Sequence, residues 1–195
     1  MEIIPLGQGC NISWLLQNVK IKKQTTLLEW FFISHLNSIT NILKLIILKD
    51  NNIITYKEGN IYINNDIRSS HYNEIEFKDI YKRRKDRLLE LLKSTKKIIF
   101  YRFEQNNNEY TNEDINDFKN VILLINPLLE FKLILITTKY LNINNDILIN
   151  KIYNDFEDDL YYEKEKVKEF FKDTLREVGY DLEENNKIFT DKSLE

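Results

Sequence analysis

Apolar residues along the chain follow two patterns, short continuous runs and helical spacing. The runs predict strands at residues 2–6, 97–103, 131–138 and 147–153. Helical spacing predicts helices at residues 10–19, 35–48, 77–95, 112–125 and 162–178. Ser34 is the expected cap of the second helix, and Gly179 follows the last. Two β-rich runs around Glu58 and Gly59 predict a hairpin over residues 52–64.

This alternation of strands and helices predicts an α/β fold. We expect a three-layer, doubly wound, Rossmann-like sheet of mostly parallel strands, with helices on both faces and the β-hairpin as an excursion. Pro5 indicates either that the first strand lies at the edge of the sheet or that the strand ends near this residue. Residues 1–184 are expected to form a single α/β domain, and residues 185–195 a flexible polar tail.

Composition and charge exclude several classes of protein. The formal net charge of -3 argues against nucleic-acid and anionic-membrane partners. One cysteine cannot form an internal disulfide. One cysteine and two histidines also argue against a Cys/His zinc site, which needs four ligands if structural, and neither metal nor cofactor is expected. No signal peptide is evident, and the apolar run at residues 123–129 is too short to span a bilayer, which predicts a cytoplasmic protein.

The residue bias points to a type of genome. Ile, Asn and Lys are abundant and alanine is absent, as AT-rich coding would produce. A virus, a parasite or a low-GC bacterium fits this bias, and for a virus the expected location is the host cytoplasm.

The turn Gly7-Gln8-Gly9-Cys10 is the first candidate for chemistry, because it follows a strand and precedes a helix. A dinucleotide fingerprint would need glycine where Ile12 stands, and no Gly-Lys-Ser/Thr follows for a P-loop. A thiol at a helix N-terminus has a lowered pKa, and the backbone N–H groups there could hold an oxyanion. The alternative is a buried structural cysteine in an ordinary glycine turn.

A cysteine nucleophile needs a base, and the chain has two histidines. His71 lies in a predicted loop and is the better candidate, with a surface histidine as the alternative. His35 opens a helix, where a structural role is expected. Glu29 stands among apolar residues, so it is either at a solvent edge or buried and paired. Arg84 lies on an apolar helical stripe, where it either extends to solvent or pairs with a carboxylate such as Glu29.

Three blocks of sequence together carry a family resemblance. They are "IIPLGQGCNISWLL", "TTLLEWFFISHLNSI", and "HYNEIEF" followed by "YKRRKDRLLELL" and "KIIFYRF". In this order they resemble a family of uncharacterised domains described as predicted papain-like cysteine peptidases. The family shows Gly-x-x-Cys, then Pro-Phe-Asp-Trp, then a histidine segment and an arginine-containing helix.

The resemblance implies Cys10 as nucleophile and His71 as base. It also places Glu29 where the family has an aspartate, beside Trp30, and it makes Arg83 and Arg84 the helix arginines. The chain departs from the family pattern at Leu27 (proline), Leu28 (aromatic) and Tyr72 (aspartate).

The leading hypothesis is a cysteine-dependent hydrolase acting on a peptide or acyl substrate. Its expected catalytic residues are Cys10, His71 and Glu29, and its expected substrate-binding residues are Gly7, Gln8, Gly9, Trp30 and Arg84. The rival is a catalytically inactive interaction protein of viral origin on the same scaffold. A nucleotide or sugar-phosphate binder that uses the glycine turn is a third hypothesis.

Overall fold

A computed structural model gives the fold of most of the chain. It describes residues 1–7, 11–21, 24–29, 31–49, 54–57, 59–64, 67–70, 72, 74–104, 108–154 and 164–182. Five predicted site residues lie outside the described residues: Gln8, Gly9, Cys10, Trp30 and His71. The predicted polar tail, residues 185–195, lies outside them as well.

The described elements follow the predicted alternation. In chain order they are β1 (Glu2–Pro5), α1 (Asn11–Asn18), β2 (Phe32–Ile33), α2 (Leu36–Ile47), β3 (Ile54–Lys57), β4 (Asn60–Ile63), β5 (Ile67–Ser69), α3 (Glu74–Lys93), β6 (Ile98–Phe103), α4 (Asn112–Ile125), β7 (Phe131–Thr137), β8 (Leu148–Ile152) and α5 (Glu165–Glu177). No helix among these is long and apolar enough to cross a membrane.

The central sheet is parallel and has the strand order β1-β6-β7-β8. The α/β class is therefore confirmed. Both alternatives for Pro5 hold, because β1 is an edge strand and Pro5 is its last residue. These four strands lie side by side in the same order as in the chain. A doubly wound sheet instead has a switch point at which the strand order reverses.

Helices cover both faces of this sheet, as predicted. The pleat of β6 divides its side chains: Ile98 and Phe100 join the core with α2, α3 and α4, whereas Ile99 and Tyr101 join the core with α1 and α5. By the same alternation, Arg102 faces the first of these two layers. The sheet is thus the middle layer of three.

The predicted hairpin belongs to a second sheet. It forms β3 and β4 around Gly59, whose φ of 73° is a conformation that favours glycine. Two further strands extend it to an antiparallel sheet of order β2-β5-β4-β3. Its inward residues, such as Ile33 and Ile61, belong to the same core as α2, α3 and α4. The second sheet therefore packs against the layer of α2, α3 and α4 that covers one face of the main sheet.

Helix ends show one correction to the sequence analysis. The cap of α2 is His35 and not Ser34, because the His35 side chain accepts the hydrogen bond from the Asn37 backbone N–H. The other ends follow expectation. Acidic residues open α4, where Thr111 and Asp114 form a reciprocal capping box. Gly179, with a φ of 77°, directly follows the α5 cap Val178.

Candidate active site at the carboxyl edge of the parallel sheet

The turn that carries the predicted nucleophile begins at the carboxyl edge of the parallel sheet. The Leu6 N–H continues the ladder by donating to the Tyr101 carbonyl at 2.8 Å, and the Gly7 N–H donates to the Leu28 carbonyl at 3.4 Å. Residues 8–10 follow Gly7 in the chain, and α1 begins at Asn11. In open α/β sheets ligands bind at this edge. The contact through Leu28 also brings the segment that contains Glu29 beside Gly7.

Glu29 is buried, with 1% of its surface exposed. Its Oε2 accepts a hydrogen bond of 2.9 Å from Ser13 Oγ, in the first turn of α1. Its Oε1 accepts hydrogen bonds from the Thr26 backbone N–H at 2.6 Å and from Thr26 Oγ1 at 3.2 Å. The sequence allowed Glu29 to lie at a solvent edge or to be buried and paired, and the structure shows it buried. Through these hydrogen bonds the carboxylate links the segment before Trp30 to the first turn of α1.

Arg84 lies on α3, and its guanidinium packs over the ring of Tyr72, with Cζ 5.1 Å from the ring centroid. Its Nη1 is buried and makes no hydrogen bond with any residue that the structure describes. The hydrogen bonds described for Glu29 come from Ser13 and Thr26, and the contact described for Arg84 is with an aromatic ring. Tyr72 directly follows His71, the predicted base, in the chain.

A buried charged cluster, which the sequence analysis missed, lies at the same edge. Arg102 is 0% exposed and Glu104 is 1% exposed, and Arg102 Nη2 is 2.9 Å from Glu104 Oε2. The hydroxyl of Tyr110 donates to the same carboxylate oxygen. The signal was present in "IIFYRFE": an arginine interrupts a buried strand, and a glutamate two residues later shares its side of the strand.

The cluster continues to the start of α2. The ring of Tyr110 stacks on the ring of His35, with the centroids 4.7 Å apart and 14° between the planes. His35 Nδ1 accepts from the Asn37 N–H at 3.2 Å, and its Nε2 is 3.3 Å from the Glu109 carbonyl oxygen. His35 thus has the structural role that its position predicted. Burial raises the pKa of Tyr110; Arg102 opposes this rise and Glu104 adds to it.

A cleft of about 350 Å³ lies at the opposite, amino edge of the sheet. Four of its charged residues form pairs, Lys97 with Glu130 at 2.9 Å and Lys119 with Asp146 at 2.7 Å, and Lys132 donates to the Asp146 carbonyl. Over the described ranges, no group of three or more His, Cys, Asp or Glu side chains is arranged to hold a metal ion. The candidate chemistry is therefore concentrated at the carboxyl edge.

Of the predicted site residues, Gly7 and Glu29 lie at this edge, and Arg84, on α3, packs against Tyr72. The roles of Gln8, Gly9, Cys10, Trp30 and His71 stay predictions from the sequence. The chain was compared with protein-family models, with curated proteins and with solved structures, and none of them matches it. Any functional conclusion therefore depends on the residues of the site themselves.

Proposed function

We propose that the protein is a cysteine-dependent hydrolase, with Cys10 as nucleophile and His71 as general base, acting on a peptide or acyl substrate. One observation carries the proposal. Residue 10 falls in the chain between Gly7, at the carboxyl edge of the parallel sheet, and Asn11, the first residue of α1. A thiol at the start of a helix is acidified by the helix dipole and by free backbone N–H groups.

In the proposed reaction His71 accepts the thiol proton, and the Cys10 thiolate attacks the acyl carbon of the substrate. The backbone N–H groups of residues 9–12 stabilise the resulting oxyanion. When the bond to the leaving group breaks, the leaving group takes the proton from His71. Water, deprotonated by His71, then hydrolyses the acyl-thioester and regenerates the thiol.

Glu29 supports this function as a positioning residue. Its carboxylate contacts Ser13 and Thr26, so it holds the first turn of α1 in place. Arg84 is proposed as a substrate contact. Its buried Nη1 has no hydrogen-bond acceptor among the residues that the structure describes, and a carboxylate of the substrate would supply one. Burying such a donor without an acceptor is costly, which favours a role in binding.

The test uses p-nitrophenyl acetate as a general acyl donor, because the natural substrate is unknown. We expect a burst of nitrophenolate that is stoichiometric with the protein, followed by slow turnover. Cys10→Ala removes the burst, and His71→Ala slows it by at least about a hundredfold, as the loss of a general base does. His35→Ala is the matched histidine control and keeps the burst. An unchanged burst in Cys10→Ala rules the function out.

One observation favours a second function, that of a non-catalytic interaction protein. Phe32 is 47% exposed on the outer face of the second sheet, and Arg68, in the neighbouring strand, packs over its ring at 5.9 Å. Tyr62 lies next in the same cross-strand row. Exposed aromatic and arginine side chains are typical of binding surfaces. If the wild type gives no burst, this second function becomes the better one.

A further inference from the structure

Arg102 uses every hydrogen-bond donor of its guanidinium. Nε donates to Glu104 at 3.1 Å, and Nη2 donates to Glu104 and to the Ile33 carbonyl, each at 2.9 Å. Nη1 donates to the carbonyls of Leu6 and Gly7 at 3.3 and 3.4 Å. A guanidinium has five N–H groups, so all of them have acceptors. A fully buried charge requires this degree of compensation.

These acceptors belong to chain segments that meet only in the folded protein. Leu6 and Gly7 extend β1 and precede residues 8–10, whereas Ile33 ends β2 and precedes the α2 cap, His35. Arg102 and Glu104 come from β6 and the residue just beyond it. One cation therefore holds together the ends of three strands from both sheets.

Arg102 is not available to bind a ligand. Its side chain is completely buried, its donors are used, and Glu104 balances its charge. Glu104 in turn accepts a hydrogen bond from Tyr110, which is buried as well. The contacts of Arg102 are with backbone carbonyls, so its effect on the site is to hold backbone in place.

We propose that Arg102 is the positioning residue of the thiol site, because it anchors the backbone from which residues 8–10 lead into α1. This inference rests on the proposed function of Cys10. The acidifying effect of a helix N-terminus on a thiol depends on the direction of its N–H groups, and it falls off within the first turn. Anchoring the Leu6 and Gly7 carbonyls fixes the backbone at the end of β1, from which the chain continues toward α1.

The experiment measures the pH dependence of Cys10 alkylation by iodoacetamide in the full chain. Cys10 is the only cysteine, so the reaction reports on it alone. Arg102→Lys retains the positive charge, but an ammonium has three donors and lacks the planar fork. Phe118→Leu is the stability control, since Phe118 packs against Phe100 and Phe131 in the core and makes none of these contacts.

In the wild type we expect alkylation to follow a thiol pKa well below the free-cysteine value of about 8.5. Arg102→Lys moves the profile upward by about one unit or more, which is a fall of about tenfold in rate at pH 6.5. Phe118→Leu keeps the wild-type profile. If Arg102→Lys does not fold, Glu104→Asp takes its place, because a carboxylate shorter by one methylene draws the guanidinium away from the carbonyls. The same upward shift is expected.

Other outcomes separate this inference from the function on which it rests. A low wild-type pKa that stays unchanged in folded Arg102→Lys overturns the role of Arg102 and leaves the hydrolase proposal standing. A shift shared by Phe118→Leu also overturns it, since loss of stability would then explain both. A wild-type Cys10 that titrates near 8.5, or that reacts only on unfolding, overturns the proposed function and the positioning role together.

Discussion

Ser13 Oγ donates a hydrogen bond of 2.9 Å to Oε2 of Glu29, and both side chains are buried. The bond joins the first turn of α1 to the segment that precedes β2. Glu29, which stands among apolar residues in the sequence, thus links these two segments at the sheet edge where residues 7–10 begin. Burying a carboxylate is costly, and its oxygens here accept from two hydroxyls and a backbone amide.

The first prediction concerns the hydrogen bonds that Glu29 accepts. We expect Glu29→Ala to lower the free energy of unfolding by about 2–4 kcal/mol, because it leaves buried donors of Ser13 and Thr26 without an acceptor. Ser13→Ala removes a single hydrogen bond and costs about 1–2 kcal/mol. Urea denaturation followed by circular dichroism measures both. Glu90→Ala, at an exposed carboxylate of α3, is the control and stays near the wild-type value. Equal stability of Glu29→Ala and wild type would contradict the role.

The second prediction contrasts two arginines. Arg102→Met costs about 3–5 kcal/mol, because it breaks a buried ion pair and removes the cation that balances the Glu104 charge. Arg84→Met stays within about 1 kcal/mol. Among the described residues, the contact it removes is the one with the Tyr72 ring, and it also removes a buried donor that has no acceptor there. Thermal and urea unfolding of the two variants, side by side, measures the difference. Similar losses in both variants would show that one of these environments is wrongly assigned.

The third prediction concerns alkaline pH. Burial, with a further contribution from Glu104 against the opposing effect of Arg102, raises the pKa of Tyr110 above that of an unfolded tyrosine, which is about 10. A raised folded pKa means that this contribution to stability is complete below pH 10 and is lost as the pH rises above it. At neutral pH we expect Tyr110→Phe to cost about 1–2 kcal/mol, because Glu104 loses a donor.

Above pH 10 the stability gap between wild type and Tyr110→Phe should therefore narrow. Urea midpoints at several values between pH 8 and 11 test this. Tyr140, which is 70% exposed, supplies the control: Tyr140→Phe should track the wild type over the whole range. A gap that stays constant through pH 11 would mean that Tyr110 ionises as easily in the folded as in the unfolded protein.

The fourth prediction concerns acid pH and Asp114. Burial raises the pKa of this carboxyl, but hydrogen bonds from Asn37 and Thr111 lower it by more, so the net direction is downward. A lowered folded pKa gives stability that is present above the unfolded value of about 3.9 and is lost as the pH falls through the folded pKa. At pH 7 we expect Asp114→Ala to cost about 1 kcal/mol through the lost capping box.

This difference should shrink as the pH falls below the unfolded value and through the lowered folded pKa of Asp114, because protonation removes the charge of the wild-type carboxylate. Unfolding curves from pH 7 to pH 2 follow it. Asp117→Ala, at an exposed position of the same helix, removes an exposed pair with Lys44 at 3.6 Å and should change stability by less than about 0.5 kcal/mol. A difference that does not change between pH 7 and pH 2 would assign the effect of Asp114→Ala to something other than its charge.

Most elements of the fold could be predicted because each carries a periodic signal of its own. The helix predicted at residues 112–125 is α4 with the same bounds, and the strands predicted at 97–103 and 131–138 are β6 and β7 with ends shifted by one residue. Strands β2 and β5 have two and three residues, which is too short for a pattern, so the second sheet was predicted only as a hairpin. His35 displaced Ser34 as a cap because a ring nitrogen could reach the Asn37 N–H.

The candidate site was predicted in part. The glycine turn, Glu29 and Arg84 stood out because glycine and charged residues are unusual in their apolar surroundings. The partners of Glu29 could not be found in this way, since Ser13 is 16 residues away in the chain and hydroxyl residues are common. Arg102 and Glu104 carried a readable signal, a charge pair on one side of a buried strand, and it was overlooked.

By itself, the sequence determined the α/β class, the order of the main elements and the position of the glycine turn between a strand and a helix, because these follow from local periodicity and backbone preference. Only the tertiary structure decided which segments surround that turn. The guanidinium of Arg102 holds carbonyls that lie 95 and 96 residues away in the chain, and 69 residues away at Ile33. Such contacts form when a buried charge must find acceptors, and the fold alone brings those acceptors within reach.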